Sequence, residues 1–247
     1  MLDLPDHVRA CLFDLDGVLT ETAVVHARAW KQMFDDFLRD RARRDGADFV
    51  PFDEHADYDE YVDGKPRADG TRSFLRSRGI ELPEGTTQDG PDVETVAGLG
   101  RRKNDLVLQM IRTDGVQAYP GSVRFVHAAR DAGLRCAVVS SSANCRDVLE
   151  SAGIADLFEL RIDGVVAQQQ HLRGKPAPDT YLAGARGLDL EPARCAVFED
   201  ALAGVASGRA GDFGWVVGVD RVGQADALRE HGADVVVDDL ANLLGQQ

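Results

Sequence analysis

The 247-residue sequence has no apolar run near the ~18 residues that a membrane-spanning helix needs, so a membrane partner is not expected. An excess of positive charge is also missing: 28 Lys and Arg face 42 Asp and Glu, a formal net charge of −14. Affinity for phosphate backbones rests on clustered Lys and Arg, which argues against a nucleic-acid partner. The cysteines are few, Cys11, Cys136, Cys145 and Cys195, and none stands in a CxxC spacing. Three of them lie in apolar, strand-like stretches and read as reduced core thiols of a cytosolic protein. The opening residues MLDLPDHVRA lack the charged-then-apolar order of a signal peptide, which again points to the cytoplasm. Internal repeats and low-complexity tracts are absent as well. Disorder is excluded, because a disordered chain of this charge would carry far fewer apolar residues than the 44% found here. The length suits one large or two small domains with a packed core.

What the sequence does contain is an alternation. Short apolar runs at 9–13, 134–139, 158–162, 195–198, 215–219 and 235–237 read as strands. Helix-like stretches near 122–132, 145–152, 178–187, 201–210 and 224–231 separate the later ones. This pattern builds βαβ units and a parallel sheet covered on both faces. Residues from about 20 to 113 interrupt it. Between Thr22 and Arg44 the residues Val25, Ala29, Trp30, Met33, Phe34 and Phe37 recur at three- and four-residue steps, an amphipathic helix. Further helices are expected at 56–62, 69–78 and 92–113. The sequence thus predicts an α/β domain from 1–19 and 114–247, with a helical module of 20–113 inserted after its first strand.

Binding crevices of open parallel sheets lie beyond the carboxyl ends of the strands, so the residues there carry the most information. The first run ends in FDLDGVLT (13–20). The two-residue strand period lets Asp14 and Asp16 face one crevice, and Gly17 permits a tight departure. One acid could attack as a nucleophile while the other moves protons. CAVVSSSAN (136–144) puts Ser140 at the crevice and Asn144 near a helix start, where a hydroxyl and backbone N–H groups suit a phosphate oxygen. GKPAPD (174–179) opens a helix and offers Lys175 as a fixed cation. Glu199 and Asp200 end another strand, adding hard oxygen ligands of the kind Mg²⁺ prefers. Taken singly, each motif also reads as a capped turn or a surface charge. Taken together, the four carboxylates outweigh the one lysine and repel one another without a counterion. Even with Mg²⁺ bound, a phosphate dianion would be repelled, so further cations are expected from the helical module.

In this order, FDLDGVLT, the serine after the second strand, GKPAPD and FED resemble the haloacid dehalogenase superfamily of aspartyl-phosphate phosphotransferases. Haloacid dehalogenases proper lack the second acid, so Asp16, Glu199 and Asp200 favour phosphoryl transfer. The inserted segments VHARAW (25–30), VDGKPRADGTRSFL (62–75) and RRKND (101–105), with YPG (119–121), resemble the β-phosphoglucomutase family. That resemblance implies a Rossmann-like parallel sheet core with an α-helical cap. It implies Asp14 as nucleophile, Asp16 as general acid/base, and Ser140 and Lys175 as holders of the transferring phosphoryl group. It implies an Mg²⁺ held by Asp14, Asp16 (through its carbonyl), Glu199 and Asp200. Arg67 would clamp a distal phosphate, Gly64 and Lys65 would line the sugar pocket, and His26 and Lys103 would contact substrate or relay cap closure. Ser142, Ala143 and Asn144 would meet substrate phosphate. Trp30 joins the substrate-binding set, although an aromatic on an apolar helix face reads first as core.

The implied reaction interconverts β-glucose 1-phosphate and glucose 6-phosphate through an aspartyl phosphate and the 1,6-bisphosphate, with a phosphorylated sugar as partner and a monomer expected. A sugar-phosphate phosphatase using the same site is the first alternative. A phospho-Asp signalling receiver is the second, but such a module is shorter, has no cap and carries its phosphoacceptor after a later strand. The chain also departs from the family: it has Ala143 where a lysine is frequent, and a long loop QQQHLRG at 168–174. The RARR run at 41–44 and the acidic stretch DEHADYDE at 53–60 read as solvated surface.

Overall fold

A computed structural model describes residues 2–245. Six strands, β1 (Ala10–Phe13), β2 (Arg135–Val139), β3 (Leu160–Ile162), β4 (Cys195–Glu199), β5 (Trp215–Val219) and β6 (Val235–Val237), form one sheet in the order β3-β2-β1-β4-β5-β6. Every pairing is parallel. The continuous apolar runs are explained by burial on both faces. Leu12, Val139, Val197 and Val216 belong to one core cluster, joined by Tyr181, Ala183 and Ala185 of α7 (Asp179–Gly187) and Val205 of α8 (Leu202–Ala210). Their sequence neighbours point the other way. Phe13 stacks on Phe198 at 4.7 Å and meets Phe125 of α4 (Pro120–Asp131) edge-on at 6.1 Å. α5 (Cys145–Ser151) and α9 (Ala225–Glu230) complete the expected helices of this region. All four cysteines are buried and free.

One helix was not expected. α6 (Gly164–Gln169) takes up the first part of the supposed long loop, because the Asp163 carboxylate accepts from the N–H groups of Val165 and Val166 at 3.0 and 2.9 Å. Such an N-cap supplies partners for two orphan donors, which a six-residue stretch with its apolar residues side by side could not signal by periodicity.

The chain divides into two compact units, one running up to Thr22 and resuming at Val116, the other Ala23–Gly115. The second unit is helical: α1 (Thr22–Asp45), α2 (Arg67–Ser77) and α3 (Val96–Asp114). Its core is aromatic. Phe34 stacks on Trp30 at 5.2 Å and on Phe52 at 5.3 Å, and lies 4.1 Å from the Phe74 ring. The expected helix at 56–62 is wound instead as a π-helix over Tyr58–Val62, closed by Asp63 N–H on Tyr58 O at 2.9 Å. α3 starts at Val96 rather than near 92, because the Thr95 hydroxyl caps Gly98 N–H at 3.0 Å. The acidic stretch is mostly exposed, but Asp57 pairs with Arg78 at 2.7 Å and is not purely solvated. No helix of the described residues is long and apolar enough to cross a membrane.

Candidate active site

In the sheet order, sequence neighbours part between β1 and β4, where the connections leave towards opposite sides and open a crevice. The register pairs Phe13 with Phe198, and Asp14 N–H donates to Phe198 O at 2.9 Å. Asp14 is thereby brought level with Glu199. The backbone then turns at once: Gly17 has φ +83° and donates to Thr20 O at 2.8 Å. Only glycine suits this turn, because a Cβ would lie 1.7 Å from the Asp200 carboxylate as well as requiring a left-handed backbone.

Lys175 sits among these groups with its side chain 1% exposed. Its ammonium donates to Asp14 Oδ1, to Glu199 Oε1 at 2.5 Å and to Val139 O at 3.1 Å. Glu199 is fully buried, and its Oε2 accepts from Ala201 N–H at 3.2 Å. Ser140 follows the carbonyl that Lys175 touches. It is buried, and its hydroxyl accepts Ser142 N–H at 3.1 Å. Ser142 in turn accepts from Asn144 N–H at 3.2 Å, Asn144 occupies the N-cap position of α5, and Ala143 is exposed on the same turn. The Asp16 carboxylate accepts from the Thr22 hydroxyl, which lies 2.7 Å from that of Thr20.

One oxygen each from Asp14, Glu199 and Asp200 lies within 4.8 Å of the others. Burial, reinforced by Glu199 and Asp16 and opposed by Lys175, holds the Asp14 carboxyl well above the usual carboxylate range. Burial would lower the Lys175 pKa, but Asp14 and Glu199 outweigh it and keep the ammonium protonated. This marks an excess of negative charge around a single cation. Hard oxygens in such a cluster suit a divalent cation. Asp16 is expected to reach the ion through its main-chain carbonyl, and the side chains that form the candidate metal group are those of Asp14, Glu199 and Asp200.

The helical unit carries a separate group. Lys103, 4% exposed, lies 2.8 Å from His26 Nδ1 and 4.9 Å from the centroid of the Trp30 ring. The Arg67 guanidinium donates to Asn104 Oδ1 at 2.5 Å and packs on Gly100, where a Cβ would come within 3.4 Å of it. One expectation changes here. Trp30 is 3% exposed and stacked into the aromatic core, so it serves packing rather than presenting a surface. The Lys65 ammonium is engaged locally, donating to Glu60 O at 2.8 Å and Tyr61 O at 3.1 Å beside Gly64, whose φ is +67°. Sequence reading missed Tyr181, whose hydroxyl donates to Glu199 Oε1 at 3.0 Å, and Thr22 on Asp16. A tyrosine inside an apolar helix gave no sign of a polar partner.

Comparison with known proteins follows the same line. The model of the haloacid dehalogenase-like hydrolases matches residues 8–212. A β-phosphoglucomutase of Mycobacterium bovis is 58% identical over 247 residues, covering 99% of this chain and 94% of that protein. The chain belongs to the haloacid dehalogenase-like hydrolases, in their β-phosphoglucomutase family. The β-phosphoglucomutase of Bacillus subtilis is 29% identical over 96% of this chain and 92% of its own length. The crystal structure of a β-phosphoglucomutase from Clostridium difficile shares the fold with a TM-score of 0.73 and 25% identity, over 96% of this chain and 93% of that one. Family membership agrees with the acidic trio around Lys175 and with the parallel sheet that carries it.

Proposed function

We propose that this chain is a β-phosphoglucomutase that converts β-glucose 1-phosphate to glucose 6-phosphate through a phosphorylated Asp14. The observation that carries the reading is the buried meeting of Asp14, Lys175 and Glu199, with Asp200 completing an oxygen trio. A carboxylate held against an ammonium at the mouth of a parallel sheet is placed to form and break an acyl phosphate.

In the cycle, the C6 hydroxyl of β-glucose 1-phosphate attacks the phosphoryl group on Asp14. Its proton passes to the Asp16 carboxylate, and the free Asp14 carboxylate departs. The 1,6-bisphosphate then reorients. Asp14 attacks the phosphorus at C1, the C1–O–P bond breaks on the oxygen side of phosphorus, and Asp16 returns its proton to the leaving hydroxyl as glucose 6-phosphate forms. Lys175 and Ser140 hold the moving phosphoryl group. Carboxylates of Asp14, Glu199 and Asp200, with the Asp16 carbonyl, would hold Mg²⁺. When bound, that ion neutralises charge on the phosphoryl oxygens. Thr22 orients Asp16 by donating to its carboxylate.

In this reading 1–19 with 114–247 is the phosphotransferase core and 20–113 a cap that excludes water during transfer. The cap supplies the missing positive charge. Arg67 binds the distal phosphate in the bidentate manner that suits a guanidinium, with His26 and Lys103 beside the substrate and Gly64 and Lys65 shaping the sugar pocket. The backbone of Ser142, Ala143 and Asn144 meets the second phosphate, a role that the absence of a lysine at 143 leaves intact. The free buried thiols suit a reducing cytoplasm.

The test is product partition. The protein is incubated with β-glucose 1-phosphate, Mg²⁺ and a trace of the 1,6-bisphosphate, and glucose 6-phosphate is measured against free phosphate. Predominant glucose 6-phosphate is expected. Predominant free phosphate would make water the final acceptor and the chain a phosphatase.

A further inference from the structure

Tyr181 lies in the first turn of α7, wholly buried in the core cluster that covers one face of the sheet. Its ring meets Phe213 edge-on at 5.9 Å, and the Lys175 ammonium is 5.0 Å from its centroid. A phenylalanine would make the same apolar contacts. The hydroxyl is therefore a polar group taken into the core for one partner, Glu199 Oε1, at 3.0 Å. Burial, with Glu199 and Asp14 adding to it, raises the phenol pKa well above its ordinary value, so the hydroxyl stays a donor.

The Glu199 carboxylate accepts from Lys175 and Tyr181 on Oε1 and from Ala201 N–H on Oε2. Gly204 closes the cradle, since a Cβ there would lie 1.8 Å from Oε1. Of these donors, Lys175 is shared with Asp14. The Tyr181 hydroxyl has no such second duty.

We propose that Tyr181 is a positioning residue that keeps the Glu199 carboxylate oriented for the divalent cation, beside a Lys175 ammonium that Glu199 must share with Asp14. This rests on the reading of Asp14, Glu199 and Asp200 as a cation site. Partners that orient a metal-binding carboxylate commonly change metal affinity 10–100-fold, roughly, when removed.

Tyr181→Phe removes the hydroxyl alone. Mg²⁺ is titrated calorimetrically into the purified wild type and variant without substrate, and kcat and the sugar-phosphate KM are then measured at saturating Mg²⁺. The expected result is a Kd for Mg²⁺ raised roughly 10-fold or more, a smaller fall in kcat and an unchanged sugar-phosphate KM. In a Glu199→Gln background the same substitution should add little, because the oriented carboxylate is already gone. A wild-type protein that binds Mg²⁺ and a phenylalanine variant that binds it equally well overturn the inference and leave the cation site standing. A wild type that binds no Mg²⁺ overturns both. The ratio of glucose 6-phosphate to free phosphate bears on neither.

Discussion

The two units differ in how much charge they bury within an apolar interior. Among the described residues, the sheet unit buries Asp14, Asp163, Lys175, Glu199 and Asp200, whereas the helical unit buries one charged side chain, Lys103, within an aromatic core. Buried charge is a poor source of stability, since desolvation consumes most of what pairing returns. The polar centre of the sheet unit is therefore explained by chemistry, and its stability by the apolar faces of the sheet. In the helical unit, stability and the buried centre coincide: Trp30, Phe34, Phe52 and Phe74 meet at the middle of a core that also holds aliphatic side chains. Substitutions at the two centres should accordingly have different consequences.

The largest effect is expected at Asp14. Asp14→Asn keeps the shape but gives an amide that cannot be the phosphoryl carrier, so formation of both glucose 6-phosphate and free phosphate should fall at least ~10⁴-fold. Far-UV circular dichroism should be unchanged, because the buried acidic excess is relieved rather than increased. Appreciable turnover in that variant would move the nucleophile elsewhere. The next effect belongs to the other unit. Phe34→Ala opens a cavity under three ring contacts and should cost about 3–5 kcal/mol in urea unfolding, with no proposed catalytic group touched. A cost well under that range would mean that the aromatic cluster is loosely packed.

Much of this was legible in the sequence, for physical reasons that differ from place to place. Buried parallel strands are short, continuous and β-branched, so 215–219 and 235–237 were read to the residue. Asp14, Glu199 and Asp200 could be placed together because strand ends in a parallel sheet share one edge, whereas Lys175 joined them through the GKPAPD motif at a helix start. Single hydrogen bonds were not legible. The Asp163 cap that makes α6, the Thr95 cap that delays α3 and the five-residue winding at Tyr58–Val62 each depend on one backbone partner rather than on periodicity. Tyr181 was hidden for a related reason: its ring obeys the apolar pattern of α7, and only its hydroxyl departs from it.

The smallest effect sharpens the contrast most, because it reads the units separately. All four cysteines belong to the sheet unit, while the tryptophans divide, Trp30 to the helical unit and Trp215 to the start of β5. Burial pushes the thiol of Cys136 up to about 12 and that of Cys195 up to about 11, and those of Cys11 and Cys145 well above their ordinary value. The thiolate is the reactive form, and each raised pKa keeps the proton on to higher pH, so the native protein at pH 8 should resist an aromatic disulfide reagent. Unfolding returns the thiols to about 8.5, where labelling is fast. In Phe34→Ala carrying Trp215→Phe, with Trp215→Phe alone as reference, Trp30 emission should shift at lower urea while thiol labelling keeps the reference midpoint. If labelling and emission move together, the units unfold as one, and the aromatic core would then stabilise the acidic centre as well as its own helices.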